Sequence, residues 1–256
     1  MTALSVTILG SGTCVPDLKR SACAVLVEIG RSKILLDIGP GTMRRLLEYG
    51  VTIFELTHVL ISHFHPDHTS ELVPLLFATK YPEAQRRKHP LKVYAGQGLN
   101  AHYAGLQTVY GQWIVLPEYQ LSLHEMDPVA GLLKFDGFSL SARSVAHRPE
   151  SLAYRIDTAQ GISLVYSGDT DACESLIDLA TGTDLLICEA SMPDGQKVTG
   201  HLTPSLAGTI AARAEAKRLV LTHLYPPCDK VDIVKQARST YKGPIVMAED
   251  LMTFCF

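Results

Sequence analysis

Within six residues, His63-Phe64-His65-Pro66-Asp67-His68, the chain places three imidazoles and a carboxylate directly after the apolar run Val59-Leu60-Ile61. In extended backbone alternate side chains share a side, so His63 and His65 point the same way. Pro66 ends the extension and opens a helix, which lets Asp67 and His68 approach the same point from another direction. A lone histidine here would read as a capping or surface residue. Three with an aspartate at a strand end are borderline-to-hard donors at a spacing suited to zinc, iron or manganese. A chain that builds such a centre needs further donors at that strand end, and layered folds gather strand ends together.

Three more candidates each follow an apolar strand pattern. His147 follows residues 140–146, Asp169 stands in Ser167-Gly168-Asp169-Thr170 after residues 163–167, and His223 follows residues 219–222. Gly168 is expected to let the backbone come close to a ligand. Singly these would be capping or surface residues. With the first box they make five histidines and two aspartates at four strand ends, enough for two ions with positions left open for water.

The pattern around these residues alternates strand and helix. Strands are expected at 6–10, 22–29, 33–37, 58–62, 92–96, 152–157, 163–167, 184–189 and 218–222, with strand-like alternation between 119 and 147 and a last core strand at 245–247. Helices are expected at 41–49, 69–81 (stopped by Pro82), 99–109, 172–180, 204–216 and 231–241, the fifth with Thr203 as N-cap and Pro204 at its first position. Short turns within 22–37 and 152–167 make those pairs antiparallel, so two facing mixed sheets with helices outside, an α/β αββα sandwich, fit better than one doubly wound parallel sheet. No repeat or linker divides the chain, and residues 1–256 read as one domain.

Composition excludes several classes. Hydrophobic residues are 46% of the chain, charged residues 19%, and the formal net charge is −3, which is too apolar for a disordered chain and too balanced for a broadly basic nucleic-acid platform. No apolar run approaches the roughly 20 residues of a membrane helix, and the first ten residues read as a strand, not a signal peptide. Six cysteines, scattered without a C-x-x-C pair, point to free thiols in a reducing, cytoplasmic setting.

The HxHxDH box, the later His147, the Ser-Gly-Asp-Thr aspartate and the closing Leu221-Thr222-His223 resemble the metallo-β-lactamase-fold hydrolases. Within them the chain is similar to ribonuclease Z and related phosphodiesterases, through Leu9-Gly10-Ser11-Gly12 with Val15-Pro16, Leu36-Asp37-Ile38-Gly39-Pro40-Gly41-Thr42, Cys188-Glu189-Ala190-Ser191 and Gly200-His201-Leu202-Thr203. The resemblance implies that His63, His65 and His147 hold one metal, that Asp67, His68 and His223 hold the other, and that Asp169 bridges them. It implies two divalent ions, zinc first, with manganese or iron as alternatives. Asp67, Glu189 and His201 would be catalytic: Asp67 orienting a metal-activated water that attacks phosphorus, and Glu189 with His201 assisting proton transfer to the leaving group. Asp37 would support a ligand histidine.

Only about twenty residues separate His147 from Asp169, where ribonuclease Z of the transfer-RNA-processing type carries a long arm. This argues against transfer RNA as substrate and for a small or cyclic nucleotide phosphodiester or an RNA end. Two alternatives stand beside it: lactone, ester or thioester hydrolysis by the same metals, and a non-catalytic metal-stabilised binding protein. A homodimer is a family expectation, and no membrane partner is expected. The backbone of residues 11–13 offers either a phosphate-binding loop or a structural turn. His58, His89, His102 and His124 read as surface or packing residues. Lys80 with Arg86-Arg87-Lys88 reads as a solvated loop, and Trp113 with Tyr103, Tyr110 and Tyr119 as an aromatic part of the core.

Overall fold

A tight turn through Gly30 (φ 57°) folds β2 (Ala24–Ile29) back onto β3 (Ser32–Leu36), and β1 (Leu4–Gly10) lies antiparallel beside β2. These elements belong to a computed structural model that describes residues 4–80, 87, 89–129 and 131–256. After β3 the connections become helical and the pairing turns parallel, because a parallel neighbour can be reached only by a crossover. Helix α1 (Thr42–Tyr49) leads to β4 (His58–Leu60). Helices α2 (Pro66–Thr69) and α3 (Leu72–Lys80) lead to β5 (Leu91–Ala95), and α4 (Leu99–Tyr110) leads to β6 (Leu121–Glu125).

The second half repeats this plan. Strands β7 (Leu133–Phe135), β8 (Phe138–Ser144), β9 (Leu152–Thr158) and β10 (Ser163–Tyr166) form an antiparallel meander. Then α5 (Glu174–Ala180), α6 (Pro204–Arg213) and α7 (Ile233–Arg238) carry the chain to the parallel strands β11 (Leu185–Glu189), β12 (Leu219–Thr222) and β13 (Ile245–Met247). The last strand, β14 (Met252–Cys255), crosses back to pair with β1. The sheet orders are β14-β1-β2-β3-β4-β5-β6 and β13-β12-β11-β10-β9-β8-β7.

The two sheets share an apolar layer that includes Val6, Val25, Leu60, Tyr154, Tyr166 and Ile187. On the outer face of the first sheet, Leu26, Leu35 and Val59 pack with Leu46, Leu75 and Leu76 of α1 and α3. On the other, Val165, Leu186 and Leu221 pack with Leu176, Ile210 and Ile233 of α5, α6 and α7. The αββα sandwich read from the sequence is the observed architecture. Strands covered on both faces, such as the fully buried β11, read as continuous apolar runs, whereas β8 alternates buried and half-buried residues. Among the described residues no helix is long and apolar enough to cross a membrane.

Several sequence expectations need correction. The strand at 245–247 is not the last, since β14 forms a further edge through its pairing with the distant β1. The helix expected from Thr69 starts at Pro66 and breaks at Ser70-Glu71, where Glu71 turns its carboxylate onto the backbone N–H groups of Gly41 and Met43 to cap α1. Helix α7 begins at Ile233 because Asp232 caps it, accepting from Lys235 N–H at 2.8 Å, and it ends at Arg238, short of 241. Thr203 occupies the N-cap position of α6 without making a side-chain cap; Asp194 accepts from Ser205 N–H instead. Arg87 is no solvated loop residue: it is 4% exposed and donates to the carbonyls of Ile53 and Leu56. Trp113, Tyr110 and Tyr119 are exposed, not core: α4, which ends at Tyr110, buries only Leu99, and the turn Gly111–Ile114 that carries Trp113 buries Ile114 instead. Tyr81 and Pro82, where α3 was expected to stop, and Gln85, Arg86 and Lys88 lie outside the described residues.

His58 is the buried packing histidine of β4. Its ring stacks on Tyr94 and meets the edges of Phe135 and Phe138. Burial, helped by the charge of Lys92, pushes its pKa down to about 4. The unfolded chain therefore binds a proton at this residue between pH 6.5 and 4 that the folded chain refuses, and stability falls as pH falls through that window. The drop attributable to His58 is up to about 3 kcal/mol. His58→Phe should flatten the acid side of the stability profile; equal pH slopes for variant and wild type in urea unfolding at pH 4.5, 5.5 and 7 would refute this.

Candidate metal centre

Because β3, β4 and β10–β12 run parallel within their sheets, their carboxyl ends reach one edge of the sandwich. That edge is fastened across the sheets. Tyr154 of β9 donates its hydroxyl to Ile61 C=O at 2.7 Å, and Leu152 N–H donates to Ser62 C=O at 2.9 Å. Gly168 is left-handed (φ 56°), and a Cβ there would lie 2.6 Å from that of Ser62. Its freedom thus serves the approach of the turn after β10 to the end of β4.

All seven candidate ligands converge here. One group comprises His63, His65, His147 and Asp169, and a second comprises Asp67, His68 and His223; within each, one donor atom per residue lies within 4.8 Å of all the others. Asp169 turns a different oxygen to each group. Oδ2 is 3.7 Å from His63 Nε2 and 3.9 Å from His147 Nε2, while Oδ1 is 3.3 Å from both His68 Nε2 and His223 Nε2. Asp67 Oδ2 is 3.6 Å from His223 Nε2.

The other side of each ring explains this aim. His68 Nδ1 bonds Asp37 Oδ2 at 2.7 Å, His63 Nδ1 bonds Ser62 Oγ at 3.0 Å, His147 Nδ1 bonds Gly200 C=O at 2.9 Å, and His223 Nδ1 bonds Ser191 Oγ at 3.0 Å. With Nδ1–H donating outward, each Nε2 faces inward, and in a neutral ring it carries the lone pair a metal needs. Behind the rings stand two buried carboxylates. Asp37 accepts from Ser62 N–H, Ser62 Oγ, His68 Nδ1 and the Tyr166 hydroxyl. Glu189 accepts from Thr170 N–H, His201 Nδ1, Ser191 Oγ and Leu202 N–H.

The donor set fits a divalent cation on three observations. His63 Nε2 and Asp169 Oδ1 are buried with no hydrogen-bond partner among the described residues, an arrangement that costs free energy unless something binds there. His65 Nδ1 faces His147 Nε2 at 3.3 Å, and His68 Nε2 faces His223 Nε2 at 3.3 Å; two tetrahedral zinc–nitrogen bonds of about 2.0–2.1 Å would hold their nitrogens about 3.3 Å apart. The protonation states also suit metal binding. Burial and the neighbouring His68 push His63 down to about 2, and burial lowers His65. Burial alone would raise Asp67 and Asp169, but His223 and His68 outweigh it, holding Asp67 at about 2 and Asp169 well below the carboxylate range. His68 is the exception: against the effect of its burial, Asp169 and Asp37 raise it well above the usual value, marking where the site calls for positive charge.

His201 lies at the rim of the same cluster. Its Nδ1 is 3.0 Å from Glu189 Oε1 and 3.2 Å from Ser191 Oγ, which leaves Nε2 for an incoming molecule. Burial favours its neutral form, but Glu189 and Asp169 prevail and raise its pKa. The suggested phosphate loop does not survive in full, because Ser11 N–H is bound by Asp250 Oδ1 at 2.9 Å and Gly12 N–H by Ser21 C=O at 2.8 Å. Sequence reasoning missed Ser62, Ser191, Tyr166 and the Gly200 carbonyl. Ser62 and Ser191 adjoin or end recognised motifs, a signal that was available; Tyr166 and a backbone carbonyl offered none.

Asp37→Asn would turn an amide N–H toward groups that are all donors and remove a paired buried charge. The variant should lose about 3 kcal/mol of stability, read as a lowered urea midpoint at unchanged slope; a midpoint equal to wild type would contradict the role of this carboxylate.

Comparison with known proteins identifies relatives of the whole chain. Residues 32–224 match the family model described as the beta-lactamase superfamily domain. Ribonuclease Z of Haloferax volcanii is 25% identical, the match covering 97% of this chain and 93% of that protein. The crystal structure of YhfI from Bacillus subtilis, a metallo-beta-lactamase fold protein, superposes with a TM-score of 0.86 at 25% identity over 100% of both chains. The short form of human tRNase Z gives 0.79 at 26% identity over 98% of each.

Proposed function

We propose that this chain, which belongs to the beta-lactamase superfamily, is a metal-dependent hydrolase that cleaves a phosphodiester. In this reading His63, His65, His147 and Asp169 hold one divalent ion, and Asp67, His68, His223 and Asp169 hold the other. The observation that carries it is Asp169, whose two oxygens face two separate groups of imidazole nitrogens. Bound zinc, or manganese or iron in its place, would supply Lewis-acid charge stabilisation and make a water acidic enough to act as nucleophile near neutral pH.

The chain's own groups divide the remaining tasks. Asp67 orients the attacking water beside the His68–His223 group. Glu189 fixes the ring of His201 and raises its proton affinity. His201 Nε2 then delivers a proton to the departing alkoxide oxygen, which otherwise leaves as a strong base. This pair favours phosphodiester cleavage over lactone opening, and so do the ribonuclease Z and tRNase Z names among the relatives. The chain between His147 and Asp169 is taken up by β9, β10 and their turns, which favours a small or cyclic nucleotide phosphodiester or an RNA end over a transfer RNA.

The full chain loaded with Zn²⁺ or Mn²⁺ should hydrolyse bis(p-nitrophenyl) phosphate or 2′,3′-cyclic nucleotides, lose the activity to a chelator and regain it on metal addition. His201→Ala should lower kcat by roughly 10²–10⁴-fold while retaining the wild-type metal content, and Glu189→Gln should lower kcat at least as much. A metal-loaded wild type that opens lactones or thioesters but leaves every phosphodiester intact would overturn the substrate assignment.

A further inference from the structure

Asp171 lies two residues beyond Asp169 and belongs to no group described so far, yet it closes a ring of contacts around His147. Its backbone N–H donates to Ala146 C=O at 2.8 Å, in an isolated bridge to the residue before His147. Its side chain reaches the other way: Oδ2 accepts from Gly200 N–H at 3.1 Å and from Lys197 Nζ at 2.7 Å, while Oδ1 accepts from Ala172 N–H at 2.8 Å. Gly200 completes the ring by accepting at its carbonyl from His147 Nδ1 at 2.9 Å. One peptide unit further on, His201 meets Glu189.

Among the described residues, few other bonds fix the loop so held. Residues 194–199 are exposed. Its internal bonds are local, Gln196 N–H to Pro193 C=O and His201 N–H to Val198 C=O. Its other tie is Asp194, which joins Gln236 and Ser205 at the base, far from the Gly200 end. Gly200 is left-handed (φ 84°), and a Cβ on it would come 3.2 Å from His147 Nδ1, so this carbonyl must be delivered by a glycine held from outside. An exposed segment without an anchor would sample many conformations and lose that freedom only on being ordered.

We propose that Asp171 is a positioning residue that clamps the 195–200 loop, so that Gly200 C=O orients His147 and His201 arrives beside Glu189. It acts through Gly200 and touches neither the reacting atoms nor an ion. The proposal rests on the reading of His147 as a metal ligand, and partners behind a ligand histidine typically set metal affinity within 10–100-fold.

The test is chelator competition on the full chain with Zn²⁺ alone, resolving two binding steps, joined to the imidazole N–H signal of His147 in the zinc-loaded protein. Asp171→Ala should weaken one step about 10-fold, leave the other unchanged and broaden the His147 Nδ1–H signal through faster exchange. Asp171→Asn, which keeps an acceptor oxygen, should recover part of the loss. Lys197→Met should change little, since the Gly200 bond remains. Wild-type affinity at both steps with a sharp His147 signal in Asp171→Ala overturns the clamp, and so does equal loss at both steps. His147→Ala separates the two ideas: if it too binds Zn²⁺ at both steps as wild type does, the ligand assignment fails, whereas if it loses one step while Asp171→Ala loses none, the clamp alone fails.

Discussion

The carboxylate of Asp37 is the interaction on which this end of the molecule depends. Removing a charge from water costs several kcal/mol unless hydrogen bonds replace its hydration. Here four donors do so, and they come from the end of β4, from α2 and from β10 in the opposite sheet. The site cannot open without uncovering that charge. Glu189 repeats the device at the end of β11, with donors from the Asp169 turn, from Ser191 and from the loop that carries His201. Each half of the sandwich therefore contributes one buried anion, and the imidazoles stand between the two.

Fixing the rings in this way has a backbone cost. Asp37 (φ 59°) and His223 (φ 55°) both occupy the left-handed region without being glycine, which costs of order 1–3 kcal/mol each. Both are over-determined by their surroundings. Asp37 N–H is bound by Leu60 C=O, and Ile38 N–H by His68 C=O. After His223, Leu224 N–H is bound by Ser11 C=O. The strain sits where side chains must leave the sheet plane and turn inward, which regular strand geometry does not allow.

The sequence made the donors legible and left their supports obscure, for a physical reason. His63, His65, Asp67 and His68 are close in the chain, and their residue types restrict the chemistry. His147, Asp169 and His223 announce themselves only by standing at the ends of apolar runs. Tyr166 is an apolar-looking strand residue whose hydroxyl meets Asp37, a partner far away in sequence, and Gly200 acts through a carbonyl that every residue possesses. The same limit applies to the fold. Strands with strong β-branched runs were visible, whereas β14 becomes a strand only because β1 offers it an edge. The motif around Ser11 left a phosphate cradle and a structural turn both open, and Asp250 and Ser21, which take two of its amides, decide for the turn. Trp113 read as core, but it stands in the short 3-10 turn Gly111–Ile114, which turns Ile114 inward and leaves the indole exposed.

Asp250 holds a further implication. Its carboxylate fastens Ser11, Ser21 and Arg45, all from the first fifth of the chain, and Ser11 in turn steadies the backbone beyond His223. Synthesis proceeds from the amino end, and segments emerge at several residues per second. A nascent chain that has not yet reached Asp250 would already carry every imidazole and carboxylate of the centre, yet the scaffold beneath one side of it would be unfinished. Completion of the centre is therefore tied to a residue translated after every one of its donors, an ordering in time that follows from a single late aspartate.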